Sequence, residues 1–520
     1  MDIQFWATTD IGKVRDHNED NFLVDKRLNL FIVCDGMGGH AAGEVASAVS
    51  VRVVRDVIAN NRPLLALAVE RPEGLQTRKE LLKLLEYAVQ EACTRVFDLA
   101  QANPERRGMG TTCSLLLLVG RRAFIAHVGD SRVYLHRRDQ VHQLTEDHSL
   151  VNEMIRQGRI DEEEAYNSPY KNAITRAVGV YESVEVDTLS FEVIQGDRLM
   201  LCSDGLSMYT DNDTLRRYLK SSTDTPSSQD EMKRISEALI RYANTRGGKD
   251  NITAVVVSIG DTGGSIETAD IHLTMDTIRQ IPLFHYLSYK ELVRIINVTH
   301  RRVVDEGDVL IREGERGEQL FIILRGEFEV ERAGQQLAVL GAGRHFGEMA
   351  LIDDRPRSAT VRANKSGVVL SIRRPEFYEL LRKDATMAVK LLWNFIQTLS
   401  ARLRDAPIAQ AARHNSSARH KFRPPPSTNS QVLDAPGPDD FSDEPDFRPP
   451  PSGEDETGDF DESPVTLRQS LSPMIDHISS LEDAIGEDIT LPGLSAEELG
   501  VDSILASHSV LNYEADSSKD

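Results

Sequence analysis

The chain has 520 residues, of which 40% are apolar and 27% are charged, and its formal net charge is −22. This length exceeds what one hydrophobic core usually serves and predicts two to four folded units. Most of the negative charge lies in one segment, because residues 434–520 carry 23 acidic side chains against three basic ones. The rest of the chain is nearly neutral, which excludes a bulk electrostatic attraction to nucleic acid or to anionic membranes.

The cysteines and the N-terminus bear on the cellular compartment. Cys34, Cys93, Cys113 and Cys202 have neither metal-ligand nor disulfide spacing, so we expect buried, reduced thiols. The N-terminus lacks a basic segment followed by an apolar one, and no apolar run is long enough to span a bilayer. These features predict a cytoplasmic protein without a membrane partner.

Residues 1–260 alternate short apolar runs with longer segments of helical periodicity. The short runs predict strands at 31–34, 114–119, 123–128, 133–136, 198–201 and 253–259. Apolar residues that recur at spacings of three and four predict helices at 43–59, 78–102, 150–157 and 231–245. This alternation predicts an α+β or layered α/β domain over residues 1–260.

The pattern changes after residue 260. Residues 261–276 lack periodicity and contain Thr-Gly-Gly, which predicts a linker. Residues 277–404 combine glycine-punctuated β-branched runs with helical patterns at 277–298 and 375–404, which predicts a β-barrel or jelly roll with flanking helices. Residues 405–520 are rich in proline, serine and acidic side chains, and this composition predicts a disordered tail that could bind protein partners.

Five acidic motifs lie near the ends of predicted strands in the first domain. They are RDHNEDN (15–21), VCDGMGGH (33–40), HVGDSR (127–132), LCSDGL (201–206) and KDNIT (249–253). Each motif alone is usually a turn. Strand ends at one edge of a sheet converge, however, and grouped carboxylates need cations to offset their mutual repulsion.

The chemistry of this set favours phosphate-ester hydrolysis. Oxygen ligands without a histidine or cysteine cluster favour Mg²⁺ or Mn²⁺ over zinc. Two such ions can lower the pKa of a shared water and direct it at phosphorus. Arg15 is the available phosphate-binding side chain, and the alternative for it is a surface ion pair.

The motifs RxxNED, DGMGGH, GMGTT, GDSR, SDGL and DNIT, in this order, resemble the bacterial branch of the protein phosphatase 2C type. Members of that family are metal-dependent Ser/Thr phosphatases. The resemblance implies a layered α-β-β-α sandwich over residues 1–260, phosphorylated proteins as substrates, and two Mn²⁺ or Mg²⁺ ions with a weaker third.

The resemblance also assigns metal ligands, position by position. It implies that Asp35 bridges two metals and takes part in catalysis, and that the carbonyl of Gly36 binds the first metal. Asp204 and Asp250 would bind the second metal. Asp130 would bind the third, weaker one.

The resemblance also implies roles for residues other than the metal ligands. Arg15 would hold the substrate phosphate, and Glu19 and Asp20 would act through metal-bound waters. Asn251 would support the ligands from behind.

Two further family features concern catalysis and access. Some members have a histidine, proposed as the general acid, directly after the Asp-Gly pair, whereas this chain has Met37, so the general acid stays unassigned. His40 belongs to the bacterial pattern, and its alternative role is to hydrogen-bond within the loop. Residues 146–165 resemble the mobile flap beside the site in the bacterial enzymes.

The run FGEMALIDDRPRSATV (346–361) carries a second candidate site. It places Glu348 nine residues before Arg357, among small residues. A short helical turn would direct backbone amides at an anion, Arg357 would add a bidentate charge, and Glu348 would accept from hydroxyl groups. A cyclic phosphate on a ribose fits this set. The alternative is that the two charges pair with each other in an inert barrel.

This run resembles the phosphate-binding cassette of cyclic-nucleotide-binding domains, and the likeness extends over about residues 277–404. It implies that Arg357 binds the cyclic phosphate and Glu348 the ribose hydroxyl. Ser358 leaves the choice between cyclic AMP and cyclic GMP open, with cyclic AMP favoured. The positions that the resemblance assigns to the nucleotide are Gly347, Glu348, Ala350, Arg357, Ser358 and Ala359.

The leading hypothesis is therefore a metal-dependent protein Ser/Thr phosphatase regulated by a cyclic nucleotide. One alternative is a non-enzymatic scaffold or nucleotide sensor with an inactive phosphatase fold. Another is an active phosphatase whose second domain is a degenerate docking barrel. No DNA-reading helix-turn-helix follows the second domain, so we expect no nucleic-acid partner.

Overall fold

A computed structural model describes residues 1–38, 42–71, 74–220, 228–261 and 265–405. The predicted tail after residue 405 lies outside the described residues, and so does His40. All described residues belong to one of two compact units of the chain.

The first half of the described chain contains every strand and helix predicted for it, together with six strands and four helices that the sequence did not predict. In chain order the elements are β1 (Ile3–Asp10), β2 (Asn21–Asp25), β3 (Leu30–Cys34), β4 (Gly36–Met37), α1 (Ala42–Asn60), α2 (Arg62–Glu70), α3 (Leu75–Ala102), β5 (Gly110–Thr111), β6 (Cys113–Val119), β7 (Arg122–Val128), β8 (Arg132–Arg137), β9 (Gln140–Gln143), α4 (Leu150–Arg156), α5 (Glu162–Asn167), β10 (Asp187–Glu192), β11 (Arg198–Cys202), α6 (Asp204–Ser207), α7 (Asn212–Leu219), α8 (Gln229–Thr245) and β12 (Ile252–Ile259).

Two antiparallel five-stranded sheets form the centre of this half, in the orders β1-β12-β11-β8-β9 and β10-β7-β6-β3-β2. Alternate side chains of a strand point to opposite faces of its sheet. In β3, Leu30 and Ile32 pack with α1 and α3, whereas Phe31 and Val33 pack against the other sheet. Helices α7 and α8 cover the outer face of that other sheet. The predicted α-β-β-α sandwich is confirmed.

The second half of the described chain is a six-stranded antiparallel sheet with helices on one side. Its longest pair, β15 with β18, has 14 residues in each strand. One hydrophobic core lies between the sheet and the helices and another on the opposite face. In chain order the elements are α9 (Ser265–Gln280), α10 (Tyr289–Asn297), β13 (His300–Val304), β14 (Val309–Ile311), β15 (Gln319–Arg332), β16 (Gln335–Leu340), β17 (His345–Phe346), β18 (Thr360–Arg373), α11 (Arg374–Lys383) and α12 (Ala385–Asp405).

The segments that join the halves differ from the prediction. Residues 265–276, expected to be an irregular linker, form most of α9. Tertiary packing explains the helix, because Met275 contacts the hydrophobic cores of both halves. The helix predicted at 277–298 is interrupted after Gln280, since Pro282 lies in a short 3₁₀ turn and Ser288 caps α10.

The helix predicted at 375–404 is also divided. Helix α11 ends at Lys383, and Asp384 begins the next helix by accepting the backbone N–H of Met387 at 3.0 Å. The expectation of buried thiols is confirmed, since all four cysteines are free and buried. Among the helices of the described ranges, none combines the length and apolar character needed to cross a membrane.

Candidate active site

Strand ends of both sheets carry the predicted acidic residues. Asp35 follows β3, and Asp20 directly precedes β2. Asp130 stands just beyond β7, Asp204 begins α6 just beyond β11, and Asp250 stands just before β12. The sandwich therefore brings to one region residues that are up to 230 positions apart in the sequence.

The charges of these carboxylates act on one another. Burial is the largest cause of the raised pKa of each buried aspartate, and the charges of neighbouring carboxylates raise the pKa further. Burial and repulsion from Asp204 and Asp250 raise the pKa of Asp20 to about 7. Burial and repulsion from Asp204 likewise raise the pKa of Asp130 to about 7. Burial and then Asp250 raise the pKa of Asp204 to about 6.

Asp35 stands at the centre of this group. Burial, and then the charges of Asp20, Asp204, Asp130 and Asp250, raise the pKa of Asp35 well above its usual range. Carboxylates held this close together are stabilised in the ionised form by cations. The acidic motifs therefore lie close enough together to raise the pKa of Asp35.

Two buried carboxylate oxygen atoms of this group can still accept a hydrogen bond or bind a cation. Asp20 accepts hydrogen bonds from Ser203 Oγ at 2.7 Å and Thr253 Oγ1 at 2.6 Å, both at its Oδ2 atom. The Oδ1 atoms of Asp20 and Asp204 are buried and have no hydrogen-bond partner in the described part of the chain. A buried, unpartnered carboxylate oxygen costs free energy unless a water or an ion satisfies it.

The donor set fits hard divalent cations. Within the described ranges, no three side chains of His, Cys, Asp or Glu converge on one point as a complete protein-only metal site. Mg²⁺ usually takes one or two carboxylates and keeps several waters, and Mn²⁺ also prefers carboxylate, carbonyl and water oxygens. Pairs of these aspartates match that requirement.

Arg15 contacts one of the predicted metal ligands. Its Nη2 atom donates to Asp250 Oδ2 at 2.7 Å, and the arginine side chain is 50% exposed. Both interpretations of Arg15 from the sequence therefore have support, since it is ion-paired and also lies at the acidic site.

The backbone of Asp35 is fixed by two neighbouring motifs. Thr112 Oγ1 accepts the N–H of Asp35 at 2.9 Å, and Thr111 Oγ1 donates to the Asp35 carbonyl at 2.8 Å. Thr112 Oγ1 in turn lies 2.8 Å from Ser131 Oγ, beside Asp130. The GMGTT and GDSR motifs thus connect the backbone of Asp35 to the residue beside Asp130. The sequence contains both motifs but gives no role to Thr111, Thr112 or Ser131.

Asn251 fixes the loop that carries Arg15 and Glu19. Its Oδ1 atom accepts the N–H of Glu19 at 2.8 Å, and its Nδ2 atom donates to the carbonyls of Ile11 at 3.0 Å and His17 at 2.8 Å. The predicted supporting position of Asn251 therefore has a physical basis: it holds the loop rather than a ligand side chain.

Close backbone contacts explain two glycines of the motifs. A Cβ atom at Gly205 would lie 2.0 Å from the carbonyl oxygen of Asn251. A Cβ atom at Gly36 would lie 2.2 Å from the carbonyl oxygen of Gly43 and 2.6 Å from that of Glu19. Only glycine allows these segments to approach so closely.

Met37 and the region expected to resemble a flap lie near this site in the fold. Met37 belongs to the short strand β4 and pairs with Gly110 of β5. Residues 146–165 contain α4 and the start of α5, whose capping box is formed by Asp161 and Glu164. Arg132 holds Asp147 through three short contacts of 2.6 to 3.1 Å.

The second candidate site surrounds Arg357. Gly347 has φ of +79°, which L-residues rarely adopt, and it begins a 3₁₀ turn over Glu348–Leu351. Arg357 donates to the carbonyl of Gly347 at 3.1 Å and to that of Gln319 at 2.8 Å. A Cβ atom at Gly317 would lie 2.6 Å from Arg357 Nε. The arginine is thus fixed by backbone atoms.

A second arginine donates hydrogen bonds to backbone carbonyls in and directly after this turn. Arg374, the first residue of α11, donates to the carbonyl of Ala350 at 2.7 Å and to that of Asp353 at 2.5 Å. Burial, and then the charge of Arg374, lower the pKa of Arg357, which Glu348 raises. The amide of Ala350 closes the turn by donating to Gly347, so it is already engaged.

The remaining nucleotide-site residues differ in exposure. Glu348 and Ala350 are buried, Ser358 is exposed, and Ala359 is half-buried. The structure therefore brings Gly347, Glu348 and Arg357 together around one turn.

Comparison with known proteins identifies the family to which the first half is similar. The family model described as Protein phosphatase 2C matches residues 13–240. The serine/threonine phosphatase stp of Listeria innocua is 39% identical over 252 residues, covering 48% of this chain and 93% of that protein. The chain belongs to the protein phosphatase 2C family. Protein phosphatase PhpP of Streptococcus pneumoniae is 34% identical to this phosphatase over 256 residues, covering 49% of the chain and 96% of the relative.

The phosphatase also resembles solved structures over half its length. The Mycobacterium tuberculosis serine/threonine phosphatase PstP/Ppp has a TM-score of 0.43 and 34% identity, covering 50% of this chain and 99% of that one. The catalytic domain of PstP in complex with two manganese ions has a TM-score of 0.41, 34% identity and the same coverage. In the second half, the family model described as Cyclic nucleotide-binding domain matches residues 301–384, a range that includes all six assigned nucleotide positions.

Proposed function

We propose that Asp35, Asp204, Asp250 and Asp130, with the carbonyl of Gly36, hold divalent metal ions, and that this site removes phosphate from phosphoserine and phosphothreonine in other proteins. The observation that supports the proposal is the group of buried carboxylates with raised pKa values and unpartnered oxygen atoms. Mn²⁺ or Mg²⁺, when bound, would offset the carboxylate charges and supply a water of lowered pKa.

Arg15 has the donors needed to bind the substrate. A guanidinium has five N–H donors, and Asp250 uses one of those of Arg15. The remaining donors are free to hold phosphate oxygens while the ion pair fixes the side chain. A phosphate held in this way would lie beside the acidic group without requiring Arg15 to move.

Asp20 and Asn251 maintain the site around it. Ser203 and Thr253 hold one oxygen of Asp20 and leave the other available to accept from a water. Asn251 fixes the loop of Glu19 and so keeps Arg15 within reach of Asp250. These residues orient the groups that contact the substrate.

Substitution of Asp35 tests the phosphatase site. Asp35→Asn should lower kcat for p-nitrophenyl phosphate and a phosphothreonine peptide by about 100-fold or more, because it removes the central ligand charge. Asp211→Asn is the matched control, since Asp211 caps α7 and asparagine caps equally well. Full activity in Asp35→Asn would overturn the metal assignment.

We also propose that the second half binds a cyclic nucleotide, with cyclic AMP favoured over cyclic GMP, and that this binding regulates the phosphatase. Two guanidinium groups, Arg357 and Arg374, flank the turn over Glu348–Leu351, and the charge of Arg374 lowers the pKa of Arg357. Arg357 is positioned by carbonyl groups, which leaves its charge available for a cyclic phosphate.

A set of polar contacts joins this turn to the phosphatase half. Arg374 holds the turn and begins α11, and Asp384 follows the end of that helix. Asp384 Oδ2 accepts from Arg294 at 2.6 Å. Arg156 of α4 donates to Thr386 Oγ1 at 3.1 Å and lies 3.8 Å from Asp384. A shift of α11 on nucleotide binding would therefore reach α4.

Calorimetry with cyclic AMP and cyclic GMP tests nucleotide binding. Arg357→Ala should abolish binding, whereas Arg355→Ala, two positions away and 88% exposed, should retain it. Absence of binding by the wild-type chain would favour the docking-barrel alternative, and equal binding by both variants would exclude the role of Arg357.

Phosphatase kinetics with and without cyclic AMP test the regulation. A regulatory ligand must bind two states with different affinity, so the coupling is reciprocal. Arg156→Gln should reduce the effect of cyclic AMP on the rate, and the exposed neighbour Arg159→Gln should not. Identical wild-type rates at saturating cyclic AMP would exclude the coupling.

A further inference from the structure

Helix α10 belongs to neither family match, because it lies between residue 240 and residue 301. It nevertheless contributes to the hydrophobic cores of both halves. Val293 is buried in the core between the two phosphatase sheets, whereas Leu292 and Ile295 are buried in the core of the second half. The helix is therefore an integral part of the phosphatase half as well as of its neighbour.

The polar face of α10 also enters the phosphatase half. Lys290 is 4% exposed, and its Nζ atom lies 3.2 Å from Asp187 Oδ2 and 3.8 Å from Glu146 Oε2. Tyr289 accepts from Arg137 at 2.8 Å and stacks on His142 with ring centres 4.0 Å apart. A buried ammonium is retained only where charged partners are fixed around it.

Asp187 connects Lys290 to a loop of the phosphatase site. The Oδ1 atom of Asp187 lies 3.6 Å from His148 Nε2, and Arg176 Nη1 lies 3.3 Å from the same oxygen and 3.4 Å from the same nitrogen. His148 Nδ1 accepts the N–H of Gly129 at 3.1 Å, so the other ring nitrogen, Nε2, is the one that faces Asp187. Although burial raises the pKa of Asp187, the contacts with His148 and Lys290 lower it well below its usual range.

His148 holds Gly129, the residue that directly precedes Asp130, through two hydrogen bonds. The N–H of His148 also donates to the Gly129 carbonyl at 2.8 Å, so both backbone groups of Gly129 are fixed. Gly129 has φ of +107°, and a Cβ atom there would lie 2.6 Å from Thr112 Cγ2. The loop has little room to shift, and its position depends on the orientation of His148.

We propose that Lys290 is a positioning residue for the phosphatase: acting through Asp187 and His148, it fixes the Gly129–Asp130 loop and so sets the affinity of the weakest metal site. This inference rests on the proposed role of Asp130. The helix that joins the two halves thereby becomes part of the metal-binding apparatus, although Lys290 contacts neither metal ligands nor substrate.

Calorimetric titration of the full chain with Mn²⁺ tests the proposal, and kcat and KM are measured at the same Mn²⁺ concentrations. Lys290→Met keeps the length of the side chain and removes its charge. We expect the weakest Mn²⁺-binding step to weaken about 10-fold or more, as for other residues that orient metal ligands, with tighter steps unchanged. Lys383→Met, whose side chain is 73% exposed in wild type, is the control and should bind as wild type.

Three further variants make the outcome decisive. Asp187→Asn should weaken the same step, and the double variant with Lys290→Met should show no larger effect than Asp187→Asn alone, since the residues act in series. If Asp130→Asn removes the weakest step while both Lys290→Met and Asp187→Asn bind Mn²⁺ as wild type, the inference fails and the proposed function stands. If Asp130→Asn leaves every Mn²⁺-binding step unchanged, the role of Asp130 fails, and the inference with it.

Discussion

Arg15 Nη2 lies 2.7 Å from Asp250 Oδ2, and this contact joins the proposed phosphate-binding side chain to a proposed metal ligand. The position of the guanidinium therefore depends on Asp250. Because one side of Arg15 remains exposed, the same side chain can meet a substrate that arrives from solvent. Substrate binding and metal binding should consequently respond together to changes at either residue.

Replacing Arg15 tests this relationship. Arg15→Met should lower kcat/KM for a phosphothreonine peptide by about 10- to 100-fold, because hydrogen bonds to charged groups contribute about 1.5–3 kcal/mol. Steady-state kinetics at several Mn²⁺ concentrations provide the measurement. Arg27→Met, in the exposed turn between β2 and β3, should leave the constants unchanged. An unchanged kcat/KM in Arg15→Met would exclude a role in phosphate binding.

The stabilising effect of Mn²⁺ should increase with pH. The pKa values of Asp20 and Asp130 are raised to about 7 and that of Asp204 to about 6 in the metal-free fold, whereas unfolded aspartates titrate near 4. The metal-free folded state thus holds protons that the unfolded state releases, and these groups lose stabilising effect as pH rises towards 7.

Metal ions replace those protons on binding. The rise in Tm caused by Mn²⁺, relative to protein with a chelator, should therefore be larger at pH 8 than at pH 6. Asp20→Asn removes one titrating group and should show a weaker pH dependence. An equal rise in Tm at both pH values would contradict the proton competition.

Gly205 should not tolerate a side chain. In Gly205→Ala the new Cβ would lie 2.0 Å from the carbonyl oxygen of Asn251, so the segment that carries Asp204 must move away from Asp250. We expect a loss of about 1–3 kcal/mol in the free energy of unfolding, measured with urea, together with weaker Mn²⁺ binding. Gly341→Ala, where nothing lies within 4 Å, should be neutral. Wild-type stability in Gly205→Ala would show that the contact relaxes freely.

Val293 should contribute to the stability of the phosphatase half although it lies outside the family match. Val293→Ala removes buried methyl groups from the core between the sheets and should cost about 1–3 kcal/mol in the free energy of unfolding. Val389→Ala changes the same residue type at a position that is 67% exposed and should have little effect. Equal stabilities of the two variants would show that α10 does not support the sandwich.

The sequence predicts the elements whose stability is mainly local. Strands such as β6 and β12 are buried along their whole length and appear as continuous apolar runs. Strand β10 contains polar residues and is half-buried at its start, so its run is broken and it is not predicted. Helix α9 also escapes prediction, because its packing through Met275 depends on residues far away in the sequence.

The candidate site likewise contains residues that the sequence predicts and residues that it does not. The order of the motifs identifies the aspartates, because each aspartate lies within a short motif that can be read directly from the sequence. The contacts of Lys290 with Asp187 and of Asp187 with His148 carry no such signal, because they join three separate segments that only the folded chain brings together. Arg374 is missed for the same reason, as it acts on the turn over Glu348–Leu351 from the following helix.

Helix α10 gives one face to each half, so the boundary between the two modules runs lengthwise along a helix instead of crossing the chain at a single point. A cut at any residue of the joining segment would deprive one module of part of its own interior. A nucleotide-binding module taken from another chain could therefore replace this one only if it brought an equivalent of Val293 and Lys290. Exchange of this module is therefore limited by the packing of the nine residues of α10.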